Sequence, residues 1–93
     1  MEIRDNEFLR QFETIINGKL LSLEYSFQDR KIFLTRINIP EALDNETVSQ
    51  FLSQILVIII ERKLKVVPIH PKVAAFFRKN PSYKELLPPG IRL

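Results

Sequence analysis

Along residues 11–39 apolar and polar positions alternate, the period of a strand with one buried face. Leu21, Leu23, Tyr25 and Phe27 interleave with Ser22, Glu24 and Ser26. Asn17-Gly18 stands just before them. That pair suits a type I′ turn, in which both central residues need positive φ. Residues 12–27 are therefore expected as a β-hairpin. Gln28-Asp29-Arg30 is expected to make a second tight turn. Residues 31–39 follow as a third strand, stopped by Pro40, which cannot donate to a ladder. Three strands in succession predict an antiparallel meander.

The period then changes. Val48, Phe51, Leu52, Ile55 and Ile59 recur at helical spacing, with Ser49, Gln50, Ser53, Gln54 and Glu61 on the opposite side. The spacing predicts a helix over about 46–63, with Thr47 and Gln50 as a capping box. Val57 and Ile60 fall towards the polar side of that helix. They call for burial by the C-terminal tail or by a second subunit. "KVVPI", residues 65–69, reads as a short fourth strand, apolar enough to be buried on both faces.

Pro71 opens a second helix through about Lys79, with Val73, Phe76 and Phe77 inside and Lys72, Arg78 and Lys79 outside. Pro81 ends it by biasing Asn80 away from the helical region. The predicted order is β-β-β-α-β-α. A helix between strands three and four implies a parallel crossover. The fold class is thus α+β, with a mixed sheet open along the edge between those two strands. One domain spans 1–93, with its core over about 11–87 and a loose tail at 88–93.

Composition and charge narrow the chemistry. The 93 residues are 45% hydrophobic and 27% charged, an ordinary globular balance that argues against disorder. There is no cysteine and a single histidine, so no disulfide framework, thiolate nucleophile or His-rich metal cluster can form, and no metal is expected. "EIRDNEFLRQ" carries charge where a signal peptide needs an apolar stretch. The run "ILVIII", residues 55–60, falls far short of the ~20 residues that span a bilayer. A soluble, cytoplasmic protein with no membrane partner is expected.

The net charge is +3. No base occurs between Arg36 and Arg62, where Glu41, Asp44 and Glu46 cluster. Bases gather later, at Arg62, Lys63, Lys65, Lys72, Arg78, Lys79 and Lys84. They read either as a solvated rim or as a patch for phosphates. No nucleic-acid-binding signature accompanies them, and Phe76 and Phe77 belong to the core.

"LKVVPIHPKVAAFFRKNPSY", residues 64–83, and "INIPEAL", residues 37–43, resemble segments of the short, stand-alone members of the GNAT N-acetyltransferase superfamily. Those proteins show a Lys- or Arg-flanked strand ending in Pro, a Cys-Pro or Cys-Ser step, an apolar helix and an Asn/His-Pro-x-aromatic ending. The resemblance covers about residues 11–87. It implies a GNAT-like mixed sheet and acetyl-CoA as cosubstrate. In that superfamily the pantetheine arm runs in the gap between two splayed strands, and a glycine- and arginine-rich loop wraps the pyrophosphate at a helix N-terminus.

By family position Ile37, Asn38 and Ile39 would meet the pantetheine, and Asn45, Thr47, Val48 and Ser49 the pyrophosphate. The chain departs from the pattern at that loop. "LDNETVS", residues 43–49, has no glycine and no base, and Asp44 and Glu46 stand where cations are expected.

His70 takes the place of the family's cysteine, near where the thioester would lie. It could accept a proton from an attacking amine. Its other reading is a half-exposed residue at the strand end, bonding a backbone carbonyl. Tyr83 could protonate a leaving thiolate, or anchor the tail to the core. Two functions follow. One is a GNAT-like protein with lost or weakened acetyl-CoA binding, acting as an interaction module, as a homodimer or with a protein partner. The other is an active acetyl-CoA-dependent N-acetyltransferase, in which a primary amine attacks the thioester directly. A small basic nucleic-acid binder is a third class with less in its favour.

Overall fold

Asn17 and Gly18 take positive φ, 51° and 77°, in the computed structural model, which describes residues 1–93. They join β2, Gln11–Ile16, to β3, Lys19–Gln28, in the antiparallel hairpin that the Asn-Gly pair predicts. Asp29 and Arg30 form the next turn, also at positive φ, 52° and 61°. Neither is glycine, so this turn is held in shape by the strands it joins. β4, Lys31–Asn38, completes the meander. A short β1, Arg4–Asn6, precedes it and pairs antiparallel with β2. The sequence reading placed no strand there, because three residues carrying Arg4 and Asp5 show no alternation.

After β4 the chain enters helix α1, Asn45–Glu61, returns as β5, Lys65–Pro68, and continues into helix α2, Pro71–Lys79. A 3-10 turn, Pro81–Leu86, follows. β5 pairs parallel with β4, as a helical crossover requires. The result is an α+β domain with one five-stranded mixed sheet in the order β1-β2-β3-β4-β5.

Period-two alternation decides the core. Phe12, Leu21, Leu23, Tyr25, Ile32, Leu34 and Ile37 of the sheet meet Phe51, Leu52, Ile55, Leu56 and Ile59 of α1 and Val73, Phe76 and Phe77 of α2 in one buried cluster. Between Glu24 and Arg36 the β3–β4 register slips by one residue, with Thr35 the extra residue. Such a bulge bends its strand, and it falls where β4 leaves β5.

Several details correct the reading of the sequence. The cap of α1 is Asp44, whose carboxylate accepts the Thr47 N–H at 2.8 Å. The helix therefore starts a turn earlier than a Thr47–Gln50 box would place it. Its far end closes with Lys63 in the left-handed conformation, φ 59°. There Lys63 N–H and Leu64 N–H reach back to the Ile60 and Ile59 carbonyls. Val57 and Ile60 are not covered by the tail and stay about half exposed. β5 is not buried on both faces: Val66 and Pro68 are buried, Val67 is half-buried and Ile69 is exposed. Residues 88–93, expected as a loose tail, lie over the core, with Pro88 buried and Leu93 packed against the cluster.

Candidate functional site

The last paired residues of the β4–β5 ladder are Leu34 and Pro68. β4 runs on to Asn38, so Thr35–Asn38 have no strand partner on that side. The chain leaves β5 as Ile69 N–H and His70 N–H both bond the Leu34 carbonyl, at 3.0 and 3.2 Å. Pro68 cannot extend the ladder, and the bulge at Thr35 turns β4 away. Together they leave an open cleft of about 760 Å³, lined by Leu20, Thr35, Arg36, Ile37, Asn38, Ile39, Pro40 and His70. Four of the positions singled out in the sequence, Ile37, Asn38, Ile39 and His70, share this one cleft.

His70 is half-buried at the N-cap of α2. Its Nδ1 accepts the Lys72 N–H at 3.1 Å. The partner is a backbone N–H, not a backbone carbonyl. A nitrogen that accepts has no proton, so the neutral ring carries its hydrogen on Nε2 and offers it as a donor. Taking a proton from an amine would need a free ring nitrogen, and Nδ1 is engaged by the helix.

Asn45, Thr47, Val48 and Ser49 lie in the first turns of α1 and do not line the cleft. A helix N-terminus attracts anions through free N–H groups and its dipole. Here the Thr47 N–H is bonded by Asp44, and the Val48 N–H bonds the Asp44 carbonyl at 3.3 Å. Hydrogen bonding from the Thr47 side chain and amide holds the Asp44 carboxyl below its ordinary range. Glu46 adds a second acidic group in the first turn. The end of α1 thus supplies its own anion, and a pyrophosphate does not fit it.

No family model matches the chain, and no curated protein matches its sequence.

Tyr83 lies beyond the far end of α2, a helix of about 13 Å rise that starts at His70. It stacks on Phe76 at 5.7 Å and meets Phe77 edge-on at 6.5 Å. These contacts tie the segment after α2 to the core, and Tyr83 does not line the cleft. The sequence reading did not single out Thr35, Arg36, Leu20 or Pro40 as cleft residues. A bulge has no signature in a single sequence, and Leu20 arrives from a neighbouring strand through register alone.

Two polar clusters lie outside the cleft. Tyr25 donates to Asp5, and Arg62 donates to the other Asp5 oxygen at 2.8 Å. Burial, then the Asp5 carboxylate, pushes the Tyr25 hydroxyl well above its usual range, which suits a fixed donor. On the other side of the sheet, Glu13 is buried and accepts from Arg4, Gln11 and Asn6. The Gln11 and Arg4 bonds hold its carboxyl low. Both clusters fasten β1 to its neighbours. No group of three His, Cys, Asp or Glu side chains is placed to hold a metal ion, and no helix is long and apolar enough to cross a membrane.

Proposed function

We propose that this chain is a GNAT-like domain that keeps a cofactor-shaped cleft but lacks its pyrophosphate anchor, and that it works as a binding module. The observation that carries the reading is the Asp44–Thr47 cap. It satisfies the helix end with a carboxylate where the superfamily leaves backbone N–H groups for phosphate. The β4 edge beyond Leu34 supports the resemblance in shape. The acidic residues at Asp44 and Glu46 argue against cofactor loading.

Calorimetry with acetyl-CoA and desulfo-CoA, at low and moderate salt, tests this. No heat at high micromolar ligand is the expected result. Binding with a micromolar Kd, about −8 kcal/mol, overturns the reading and puts the N-acetyltransferase first. That second reading has one observation in its favour: His70 and the free edge of β4 face the same cleft. In it His70 contributes an Nε2 donor near the reacting carbonyl. Asp44→Ser with Glu46→Gly keeps a capping hydroxyl while removing both charges. This pair is expected to raise CoA affinity over the parent chain in the same titration, and no gain counts against aligning this loop with a pyrophosphate site.

A further inference from the structure

The connection between β1 and β2 is built unlike the other turns of the sheet. Asn17-Gly18 and Asp29-Arg30 are polar, as turns ordinarily are. Here the chain reads Glu7-Phe8-Leu9-Arg10, and the two central residues are apolar and uncovered. Phe8 is 94% exposed and Leu9 57%. No large apolar residue of the chain is more exposed than Phe8. The backbone on both sides of the pair is fixed. Asn6 Oδ1 accepts the Leu9 N–H at 3.1 Å, and the Arg10 carbonyl accepts the Tyr25 N–H at 2.9 Å. The fold thus holds Phe8 and Leu9 out in water, where exposed apolar groups mark a contact with a partner or a membrane.

The surroundings say what covers them. Beside the loop lies a cavity of about 390 Å³ lined by Asp5, Glu7, Arg10, Tyr25, Phe27 and Arg62, which brings the exposed Phe27 to the same end of the sheet. Arg62 and Lys63 close α1 there, and the Lys65 N–H bonds the Arg30 carbonyl at 3.1 Å. Six bases, Arg10, Arg30, Lys31, Arg62, Lys63 and Lys65, therefore meet four acids, Asp5, Glu7, Asp29 and Glu61, a surplus of two. Asp5 is paired with Arg62, and the other ion pair of the chain is Arg4–Glu13, so Arg10, Arg30 and Lys63 are exposed and unpaired. Two adjacent side chains on a loop are too little for a protein interface, which buries about 800 Å² per partner. They are enough to enter lipid, with unpaired bases at the level of anionic head groups.

We propose that this end of the sheet docks on the surface of a bilayer rich in anionic lipid. Phe8 and Leu9 enter the boundary between head groups and acyl chains, Phe27 lies at its margin, and Arg10, Arg30 and Lys63 meet lipid phosphates. The contact is with the surface, and no helix is long and apolar enough to cross a membrane. The sequence expectation of no membrane partner rested on the lack of a spanning run, a pattern that two loop residues do not show. The inference stands on this loop and its neighbours and does not depend on what the cleft binds.

Co-sedimentation with vesicles of phosphatidylcholine, with and without one third phosphatidylserine, tests it. The chain is expected to bind the mixed vesicles in low salt and to leave them in high salt. Phe8→Ala with Leu9→Ala should lower the partition coefficient at least about tenfold, with circular dichroism unchanged because neither residue belongs to the core. Arg10→Glu with Lys63→Glu should remove the preference for phosphatidylserine. The chain has no tryptophan, so Phe8→Trp gives a single reporter. Its emission should move to the blue on the mixed vesicles and be quenched by brominated acyl chains, whereas Ile15→Trp, near the Asn17-Gly18 turn, should show neither change. No binding to the mixed vesicles overturns the proposal. So does binding that the double alanine variant leaves unchanged, or in which the indole at position 8 stays in water, because the chain would then adhere by another surface.

Discussion

His70 and Asp44 are both helix caps, and each shows a side chain employed by the backbone beside it. For His70 the expected outcome of His70→Ala is a loss of about 1 kcal/mol in urea unfolding, the usual cost of a lost cap. His70→Ser should recover most of it, since a hydroxyl can accept the Lys72 N–H in the same place. Equal losses in both variants would show that the ring contributes through packing. Asp44 and Glu13 set the acid behaviour. Their carboxyls are held low in the folded chain. Their contribution is therefore present above the unfolded carboxyl value near ~4 and is lost as pH falls through the folded values. Glu13→Gln should make the decline of stability below about pH 4 shallower. An unchanged acid transition would show that Glu13 is not one of its sources. Tyr25 works in the opposite sense. Its hydroxyl is raised, so its contribution is present below the unfolded value near ~10 and is lost as pH rises further. In Tyr83→Phe, tyrosinate absorbance should appear only as the circular dichroism collapses.

At the scale of elements, turns and helix contacts make the largest differences. Asp29-Arg30 holds two residues with side chains in the left-handed region, which Asp tolerates and which disfavours Arg30 by about 1 kcal/mol. Arg30→Gly should therefore stabilise the chain by about that amount, read as a higher urea midpoint. α2 is nine residues long, too short to persist without packing. Phe77 is fully buried and joins it to the core. Phe77→Ala should cost about 3–5 kcal/mol. A domain of this size has of the order of 5–14 kcal/mol in total, so α2 and the turn after it should be the most sensitive part of the fold.

At the scale of the molecule, the cleft and the outer face of α1 share no residue. Val57 and Ile60 of α1 stay about half exposed, away from the residues that line the cleft. Asp44→Ser with Glu46→Gly changes the start of α1 and Val57→Asp changes an exposed position further along it, and neither substitution touches a residue that lines the cleft. The principal extents of 39 × 29 × 20 Å show how thin the domain is. A chain of this size buries only about 60–65% of its unfolded surface, and Val57 and Ile60 of α1 are among the apolar residues left half exposed.

The sequence by itself determined the elements. Asn17-Gly18, the alternation through β3, the helical spacing from Val48 to Ile59 and Pro71 at the start of α2 are local signals, and each marks local structure. The α+β class and the parallel crossover follow from their order, because chain connectivity permits little else. Only the tertiary structure decided the rest. β1 exists because Glu13 and Tyr25 hold on to Arg4 and Asp5 across the sheet, through contacts between distant residues. The end of the β4–β5 ladder at Leu34, the bulge at Thr35 and the arrival of Leu20 beside His70 are facts of register, which no window of sequence contains. His70 stood out as a lone histidine. Its role as a cap came from a single N–H three-dimensionally in reach of Nδ1, and that contact depends on where β5 stops and α2 begins.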